Sequence, residues 1–241
     1  MSYLHHFVFG VYPYIALSIF LLGSLIRFDR DQYSWKSDSS QLLRKGQLRW
    51  GSNLFHVGIL FLFFGHSVGM LTPHFVYEPF MTAGAKQLMA MISGGLFGLF
   101  GFVGVSILLH RRLSDARIRA TSKTSDIVLL WLLWAQFALG LATIPLSAQH
   151  LDGGMMLKLA DWAQHIVTFR SGAPELLAEA SWVFKAHMFL GMSIFVIFPF
   201  TRLVHVWSGF GTLAYVVRPY QVVRSRRMGM TPQPPMSQRG R

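Results

Sequence analysis

The sequence predicts an all-α, polytopic membrane protein built as a five-transmembrane-helix bundle. Of its 241 residues, 52% are apolar and only 13% carry a charged side chain. Several apolar runs exceed the length of about 20 residues that a helix needs to cross the hydrocarbon core of a bilayer. These observations place the chain among multi-pass helical membrane proteins.

The first three spans follow from apolar runs and the breaks that separate them. The run at about 3–26 lacks a basic region before it and a small-residue cleavage pattern after it, so we expect it to be retained in the protein. The second span, about 51–71, stops at Thr72-Pro73. The third, about 87–109, contains five glycines, which allow neighbouring backbones to approach closely.

Two further spans complete the predicted bundle. The fourth, about 127–146, ends near Pro145 and carries Gln136 as its notable mid-span polar residue. The fifth, about 182–206, contains Pro199, which predicts a kink. We therefore expect one transmembrane domain over 1–224, followed by a basic, proline-containing tail over 225–241 that is predicted to be disordered.

Lysines and arginines predict the orientation. Eighteen lie at 27–50, at 110–124 and from Arg202 onward, against four on the opposite side. Because positive charge accumulates on the cytoplasmic side, we expect a periplasmic N-terminus and a cytoplasmic C-terminus. The net charge of +12 follows from these connections, so the basic residues indicate contact with membrane lipid and no nucleic-acid partner.

The chain contains no cysteine. This absence excludes disulfides, cysteine-ligated iron–sulfur clusters, covalently attached haem and thiolate catalysis within the chain. Any redox chemistry of this protein must therefore rest on histidine.

Four histidines lie inside apolar segments, His56 and His66 in the second span and His187 and His205 in the fifth. An ionisable side chain within a span is costly and indicates function, and two on each of two spans suggest paired ligation. The pattern predicts two bis-histidine haems. The alternative is that the histidines only hydrogen-bond between helices.

Depth in the membrane predicts which histidines pair. The second span runs outward and the fifth inward, so His66 should face His187 near the outer side, and His56 should face His205 near the cytoplasm. The spacings differ, because ten residues rise about 15 Å along a helix and eighteen rise about 27 Å. We expect tilted imidazoles and a bend near Pro199 to remove the difference.

Small and basic residues near these histidines suggest how a haem would fit. Gly65, Gly69 and Gly191 lie within one helical turn of a predicted ligand, where a missing side chain leaves room for a flat porphyrin. Ordinary small-residue packing between spans is the alternative. Arg202, three residues before His205, is a candidate partner for a haem propionate, or simply an anchor at the inner edge.

Three segments carry a resemblance to a known family: "SNLFHVGILFLFFGHSVGMLTPH", "LATIPLSAQHLDG" and "FKAHMFLGMSIFVIFPFTRLVHVWS". The chain resembles the gamma subunit, a dihaem cytochrome b, of the membrane-bound respiratory nitrate reductases. The likeness extends from "YPYIA" at Tyr12 to "RPYQVVR" at Arg218 and weakens in the tail.

The resemblance implies that His66 and His187 bind a distal haem b, and that His56 and His205 bind a proximal haem b. It also implies partners on the cytoplasmic face, an iron–sulfur beta subunit and a molybdenum-containing alpha subunit that reduces nitrate to nitrite. The expected location is the cytoplasmic membrane of a bacterium or archaeon.

The same resemblance implies that a quinol, menaquinol or ubiquinol, is oxidised beside the outer haem. A lysine shortly before the third span belongs to that site in the family and matches Lys86, which we expect to act with His66 and Gly65. Position alone would equally predict a lysine that snorkels to the outer interface.

Other functions remain open from the sequence. The chain could be the haem b anchor of a formate dehydrogenase, a hydrogenase or a heterodisulfide reductase-like complex, although the nearly full-length likeness argues against this. A transporter or haem-handling protein is a second alternative, disfavoured because no inverted repeat is visible. A structural anchor without cofactor would leave four histidines in apolar spans unexplained.

The connection 148–181 contains apolar residues at helical spacing and predicts an amphipathic helix on the outer surface. We expect this helix to roof the quinol pocket. Its predicted apolar face consists of Met155, Leu159, Trp162, Ala163, Ile166 and Val167.

Overall fold

The computed structural model describes residues 2–31, 43, 45–149 and 151–207, and every regular element within them is helical. Five of these helices are long and apolar enough to cross a membrane, which confirms the predicted all-α bundle. They are span one (Tyr3–Arg30), span two (Lys45–Leu71), span three (Ala83–Ser114), span four (Thr124–Ser147) and span five (Trp182–Phe200). The predicted tail, 225–241, lies outside the described residues.

Shorter helical segments connect the spans. They are His74–Tyr77, Ala116–Thr121, Gly154–Val167 and Ala173–Leu176. Two 3₁₀ turns, Phe198–Phe200 and Arg202–Val204, form the end of span five and the segment that follows it. Because successive spans run in opposite directions, the start of span three lies at the same end of the bundle as the finish of span two. We call this the His66 end, and the opposite one the His56 end.

Span three begins four residues earlier than its apolar run. The side chain of Thr82 accepts a hydrogen bond from the backbone N–H of Ala85 at 3.2 Å and so caps the helix at Ala83. Lys86 therefore lies inside span three, in its first turn, and the prediction that it precedes the span is wrong. A cap made by one threonine side chain is enough to extend the helix beyond its apolar residues.

Span five is interrupted where a single helix to Val206 was predicted with only a kink. The α-helix ends at Ile197 and continues as the 3₁₀ turn Phe198–Phe200. Thr201 then adopts an extended conformation, with φ −115° and ψ 178°, before the next 3₁₀ turn. The chain thus leaves the helix axis before it reaches His205.

Span one stabilises this interruption. The guanidinium of Arg27 donates hydrogen bonds to the backbone oxygens of Pro199, at 2.5 Å, and Thr201, at 3.0 Å. These carbonyls lie at the end of the helix, where no backbone N–H of the following turn is available to them, and the Arg27 guanidinium donates the hydrogen bonds in its place. Gly23 also packs directly on the ring of Pro199, since an added Cβ would lie 2.8 Å from its Cγ.

Spans two and three touch backbone to backbone, as the glycine content of span three predicts. A Cβ added at Gly58 would lie 2.4 Å from the backbone nitrogen of Gly101. One added at Gly104 would lie 2.3 Å from the backbone nitrogen of Phe55. The two helices consequently form a close pair whose relative position is fixed by sterics.

The helix Gly154–Val167 confirms the amphipathic helix predicted in the long connection. Trp162 donates its indole N–H to the backbone oxygen of Phe9 at 2.9 Å, and the Gln164 amide donates to that of Met70 at 2.9 Å. Ala160 is buried, whereas Val167, predicted on the apolar face, is 46% exposed. The helix therefore ties spans one and two together at the His66 end.

Replacing Gly58 by alanine should lower the free energy of unfolding by about 1–3 kcal/mol, because the new methyl group collides with backbone atoms of span three. Gly94→Ala is the matched control, since its Cβ would meet no atom within 4 Å. Thermal unfolding in detergent measures both variants. Equal unfolding midpoints would contradict the close backbone contact.

Candidate functional site

The structure brings the four histidines of spans two and five together in the two expected pairs. The ring centroids of His56 and His205 lie 6.1 Å apart, and those of His66 and His187 lie 6.3 Å apart. The ring planes meet at 73° in the first pair and at 44° in the second. Each pair therefore consists of two imidazoles that face each other across a narrow gap.

The break in span five explains how unequal spacings along the chain yield equal separations. Ten residues separate His56 from His66 on one unbroken helix, whereas eighteen separate His187 from His205. The extended residue Thr201 interrupts that second stretch, so the eighteen residues do not rise along a single axis. The expected bend near Pro199 is present as a complete interruption.

The separations suit one metal ion between each pair of rings. If two imidazoles bound one metal ion from opposite sides, with bonds of about 2.0 Å and about 1.1 Å from each nitrogen to its ring centroid, their centroids would lie about 6.2 Å apart. Among the described residues, no three histidine or carboxylate side chains converge as a metal site. Two ligands alone suit an iron whose other donors come from a macrocycle.

Backbone acceptors orient three of the four rings. Because a carbonyl only accepts, Nδ1 of each ring must carry the proton, which leaves the Nε2 lone pair available to a metal. The hydrogen bonds run from His56 to Ser52 at 2.7 Å, from His66 to Leu62 at 2.7 Å, and from His205 to Arg202 at 2.6 Å.

His187 is held differently, by span four. Its Nδ1 is buried beside the backbone of Gln136 and makes no hydrogen bond of standard geometry with the described residues. Gly140 allows the ring to lie against span four, since an added Cβ would be 3.0 Å from its Cε1. The role of Gly140 could not be predicted from the sequence, because a glycine in an apolar run carries no signal of the side chain that packs on it.

The glycines predicted beside the haems divide into two groups. A Cβ added at Gly65 or Gly69 would meet no atom within 4 Å, so there is room for a flat group next to His66. A Cβ at Gly191 would instead lie 3.1 Å from the amide nitrogen of Gln136. For Gly191 the alternative of helix packing accounts for the residue.

Arg202 belongs to a charge cluster at the His56 end, of which only this arginine was predictable from the sequence. Its guanidinium lies 3.3 Å from a carboxylate oxygen of Asp126, which is 3.9 Å from the guanidinium of Arg112. Arg112 also donates to the hydroxyl of Ser122 at 2.6 Å. One buried carboxylate between two guanidiniums leaves positive charge for a further anion, and the propionate role of Arg202 stays a prediction.

Lys86 occupies an unusual position at the His66 end. Its side chain is only 7% exposed, and the ammonium has no hydrogen-bond acceptor among the described residues. It lies in the first turn of span three, where the helix dipole disfavours a cation. The compensating contact is the ring of Tyr77, whose centroid is 3.6 Å from Nζ.

The contact of Lys86 with Tyr77 could not be predicted from the sequence. Tyr77 lies on the short helix His74–Tyr77, nine residues before Lys86, and its hydroxyl is buried without a hydrogen-bond partner among the described residues. The only signal in the sequence was an aromatic residue in the connection that leads to the lysine. The lysine and the phenol together provide two buried polar groups that can still form hydrogen bonds.

Comparison with known proteins identifies similar chains. The family model described as nitrate reductase gamma subunit matches residues 5–226. The chain is 53% identical over 228 residues to the respiratory nitrate reductase 2 gamma chain of Escherichia coli K12. The matched region comprises 94% of this chain and 100% of that relative. It is 49% identical to the respiratory nitrate reductase 1 gamma chain of the same organism, and the match covers 94% of this chain and 100% of that relative. The nitrate reductase gamma chain of Bacillus subtilis 168 is 39% identical, with coverage of 91% and 97%.

Asp126→Ala should destabilise the protein by about 3–5 kcal/mol, because it leaves the guanidiniums of Arg112 and Arg202 without their shared carboxylate. Glu179→Ala, which removes an exposed ion pair with Lys158, is the control and should leave the unfolding midpoint unchanged. Thermal unfolding in detergent compares them. An Asp126→Ala midpoint equal to that of the control would exclude a structural role for the cluster.

Proposed function

The chain belongs to the nitrate reductase gamma subunit family and is thus a membrane subunit of a multi-subunit nitrate reductase, and we propose that it is the quinol-oxidising dihaem cytochrome b of that complex. The observation that carries the proposal is the pair of facing imidazoles at each end of the bundle, at centroid separations suited to one iron. Neither a transporter nor a cofactor-free anchor is favoured by this arrangement.

In this proposal His66 and His187 hold the distal haem b, and His56 and His205 hold the proximal haem b. When bound, the two haems supply one-electron carriers between the ends of the bundle. The backbone hydrogen bonds of three rings fix their Nδ1 protons and aim Nε2 into the gap. These contacts support ligation because they order the rings before the cofactor arrives.

The proposed orientation puts the His56 end in the cytoplasm. Eighteen of the 22 lysines and arginines fall on the side of the 27–50 and 110–124 connections. The iron–sulfur beta subunit and the molybdenum-containing alpha subunit dock on this face, where nitrate is reduced to nitrite. The His66 end then faces the outside of a bacterial or archaeal cytoplasmic membrane.

The quinol, menaquinol or ubiquinol, binds at the His66 end near Lys86, Gly65 and His66. The Lys86 ammonium donates a hydrogen bond to a quinol oxygen and stabilises the negative charge that develops there as the hydroxyl proton leaves. Its burial without an acceptor favours this role over that of an interfacial lysine, whose ammonium would extend into water. Gly65 leaves the approach to the site open.

Oxidation of one quinol releases two electrons and two protons. In the proposed orientation the protons leave at the outer face, and the electrons are consumed by nitrate reduction on the cytoplasmic side. Moving an electron toward a negative interior costs about 2.3 kcal/mol per 100 mV, so turnover converts redox energy into a membrane potential. No separate proton pump is required.

His66→Tyr and His56→Tyr should each remove one distinct low-spin haem from the purified complex, because each removes one imidazole of a different pair. Optical and EPR spectra, with haem quantified per chain, measure the loss. His110→Tyr, an exposed histidine at the end of span three, should retain both haems. Two haems retained in both ligand variants would refute the assignment.

Lys86→Ala should reduce quinol-dependent nitrate reduction on the order of 100-fold, since it removes the fixed donor at the reacting oxygen, while both haems remain. Lys158→Ala is the control, because this exposed lysine pairs with Glu179 on the surface and lies outside the proposed site. Steady-state rates with a quinol analogue compare the variants. Full turnover by Lys86→Ala would exclude the proposed role.

A further inference from the structure

One side of span one packs on the place where the helix of span five ends. Phe20, Gly23 and Arg27 recur three and four residues apart and therefore lie on the same side of their helix. The ring of Phe20 meets that of Phe198 edge to face, with centroids 4.8 Å apart. Gly23 lies directly against the ring of Pro199, which is fully buried. We call these three residues of span one the docking face.

Arg27 is the polar member of the docking face, and it acts on the backbone of span five. Its guanidinium donates hydrogen bonds to the carbonyl oxygens of Pro199 and Thr201, at 2.5 and 3.0 Å. Its neighbours Leu25 and Ile26 are 63% and 57% exposed on the outside of the bundle, whereas Arg27 is half-buried. An arginine that only anchored the helix at the membrane surface would extend its guanidinium into water. The direction of the side chain therefore indicates a task inside the bundle.

A short series of local contacts connects Thr201 to His205. The hydroxyl of Thr201 accepts a hydrogen bond from the backbone N–H of Leu203 at 3.4 Å and so begins the 3₁₀ turn Arg202–Val204. His205 follows that turn directly, and its Nδ1 donates to the backbone oxygen of Arg202 at 2.6 Å. Because both ends of the turn are hydrogen-bonded, the position of the Thr201 carbonyl determines the position of the imidazole four residues later.

We propose that the docking face positions His205, through the two hydrogen bonds of Arg27, and thereby sets the geometry of the proximal haem b site. These bonds hold the interrupted backbone where the ring of His205 faces that of His56 at a centroid separation of 6.1 Å. The inference rests on the proposed function and deepens it, because it assigns a positioning role to a span that carries none of the four paired histidines.

The loss of the Arg27 contacts would release the break in span five. Two carbonyls would lose their donor inside the bundle, and the backbone would regain partners only by moving toward water or by extending the helix through Thr201. Either movement displaces or rotates the ring of His205. The orientation of an axial imidazole and the hydrogen bonds around it affect the spectrum and the redox potential of a haem.

The distal pair does not depend on Arg27 in this way. His66 lies on the unbroken helix of span two, and the ring of His187 lies against Gly140 of span four. Losing the contacts of Arg27 therefore alters the proximal site and leaves the distal site unchanged. General stabilisation of the bundle, which is the competing explanation for the docking face, would affect both sites or neither.

Arg27→Gln should shift the EPR signal and the midpoint potential of the proximal haem in the purified complex and leave those of the distal haem unchanged. Glutamine is shorter and uncharged, so it cannot hold both carbonyls. EPR spectra and redox titrations measure both haems, and His56→Tyr and His66→Tyr identify which signal belongs to which site. Arg30→Gln is the matched control, because this exposed arginine lies at the same end of span one and should give wild-type signals. Wild-type proximal signals in Arg27→Gln, or equal shifts of both haems, would overturn the proposal.

A second variant disturbs the docking face without removing a charge and keeps the proposal testable if Arg27→Gln does not assemble. In Gly23→Ala the new methyl group would lie 2.8 Å from Cγ and 3.0 Å from Cβ of the buried Pro199, so the ring must shift. The variant should alter the proximal signals alone. Gly94→Ala, whose Cβ would meet no atom within 4 Å, should keep both signals. Unaltered proximal signals in Gly23→Ala would contradict the positioning role.

The outcomes distinguish the two proposals. If His56→Tyr and His66→Tyr retain both haems, the haem assignment of the proposed function fails. If each of them removes one haem, and the Arg27 and Gly23 variants give the same signals as their controls, the dihaem assignment stands and only the positioning role fails.

Discussion

The distance between facing imidazoles is the constraint on which the rest of the structure depends. Both pairs have centroid separations slightly above 6 Å, at 6.1 and 6.3 Å, although the histidines lie ten residues apart along span two and eighteen apart along span five and the segment after it. One unbroken helix therefore faces an interrupted one. The glycine contacts of Gly58 and Gly104 position the unbroken helix against span three, and the turn after Ile197 redirects the other.

The His66 end contains a buried cation whose ammonium has no hydrogen-bond acceptor among the described residues. Lys86 lies in the first turn of span three, where the helix dipole disfavours a positive charge. Its ammonium contacts the aromatic ring of Tyr77 and no carboxylate among the described residues. A counterion would stabilise the lysine, but it would also compete for the ammonium with the quinol oxygen that we propose it binds. The arrangement gives up some stability and keeps the donor available, as is common at functional sites.

The number of spans, the two histidine pairs and the amphipathic helix were predictable from the sequence, because long apolar runs and helical periodicity are local properties. Features that depend on contacts between residues distant in the chain were not predictable from the sequence. The break after Ile197 is secured by a side chain from span one, and Asp126 joins the predicted Arg202 only through packing. Gly65 and Gly191 both lie within one helical turn of a paired histidine in the sequence. In the structure the space beside Gly65 is open, whereas the side chain of Gln136 occupies the space beside Gly191.

The contacts of Arg27 have a consequence for biogenesis. They join the first helix to be synthesised to a segment near the last, so His205 reaches its position opposite His56 only when nearly the whole chain has entered the bilayer. Contacts between parts so far apart in sequence form late, after the entropy of closing a long loop has been overcome. Until then the ring of His56 lacks the imidazole that faces it in the finished fold, so this histidine pair is among the last features of the bundle to form.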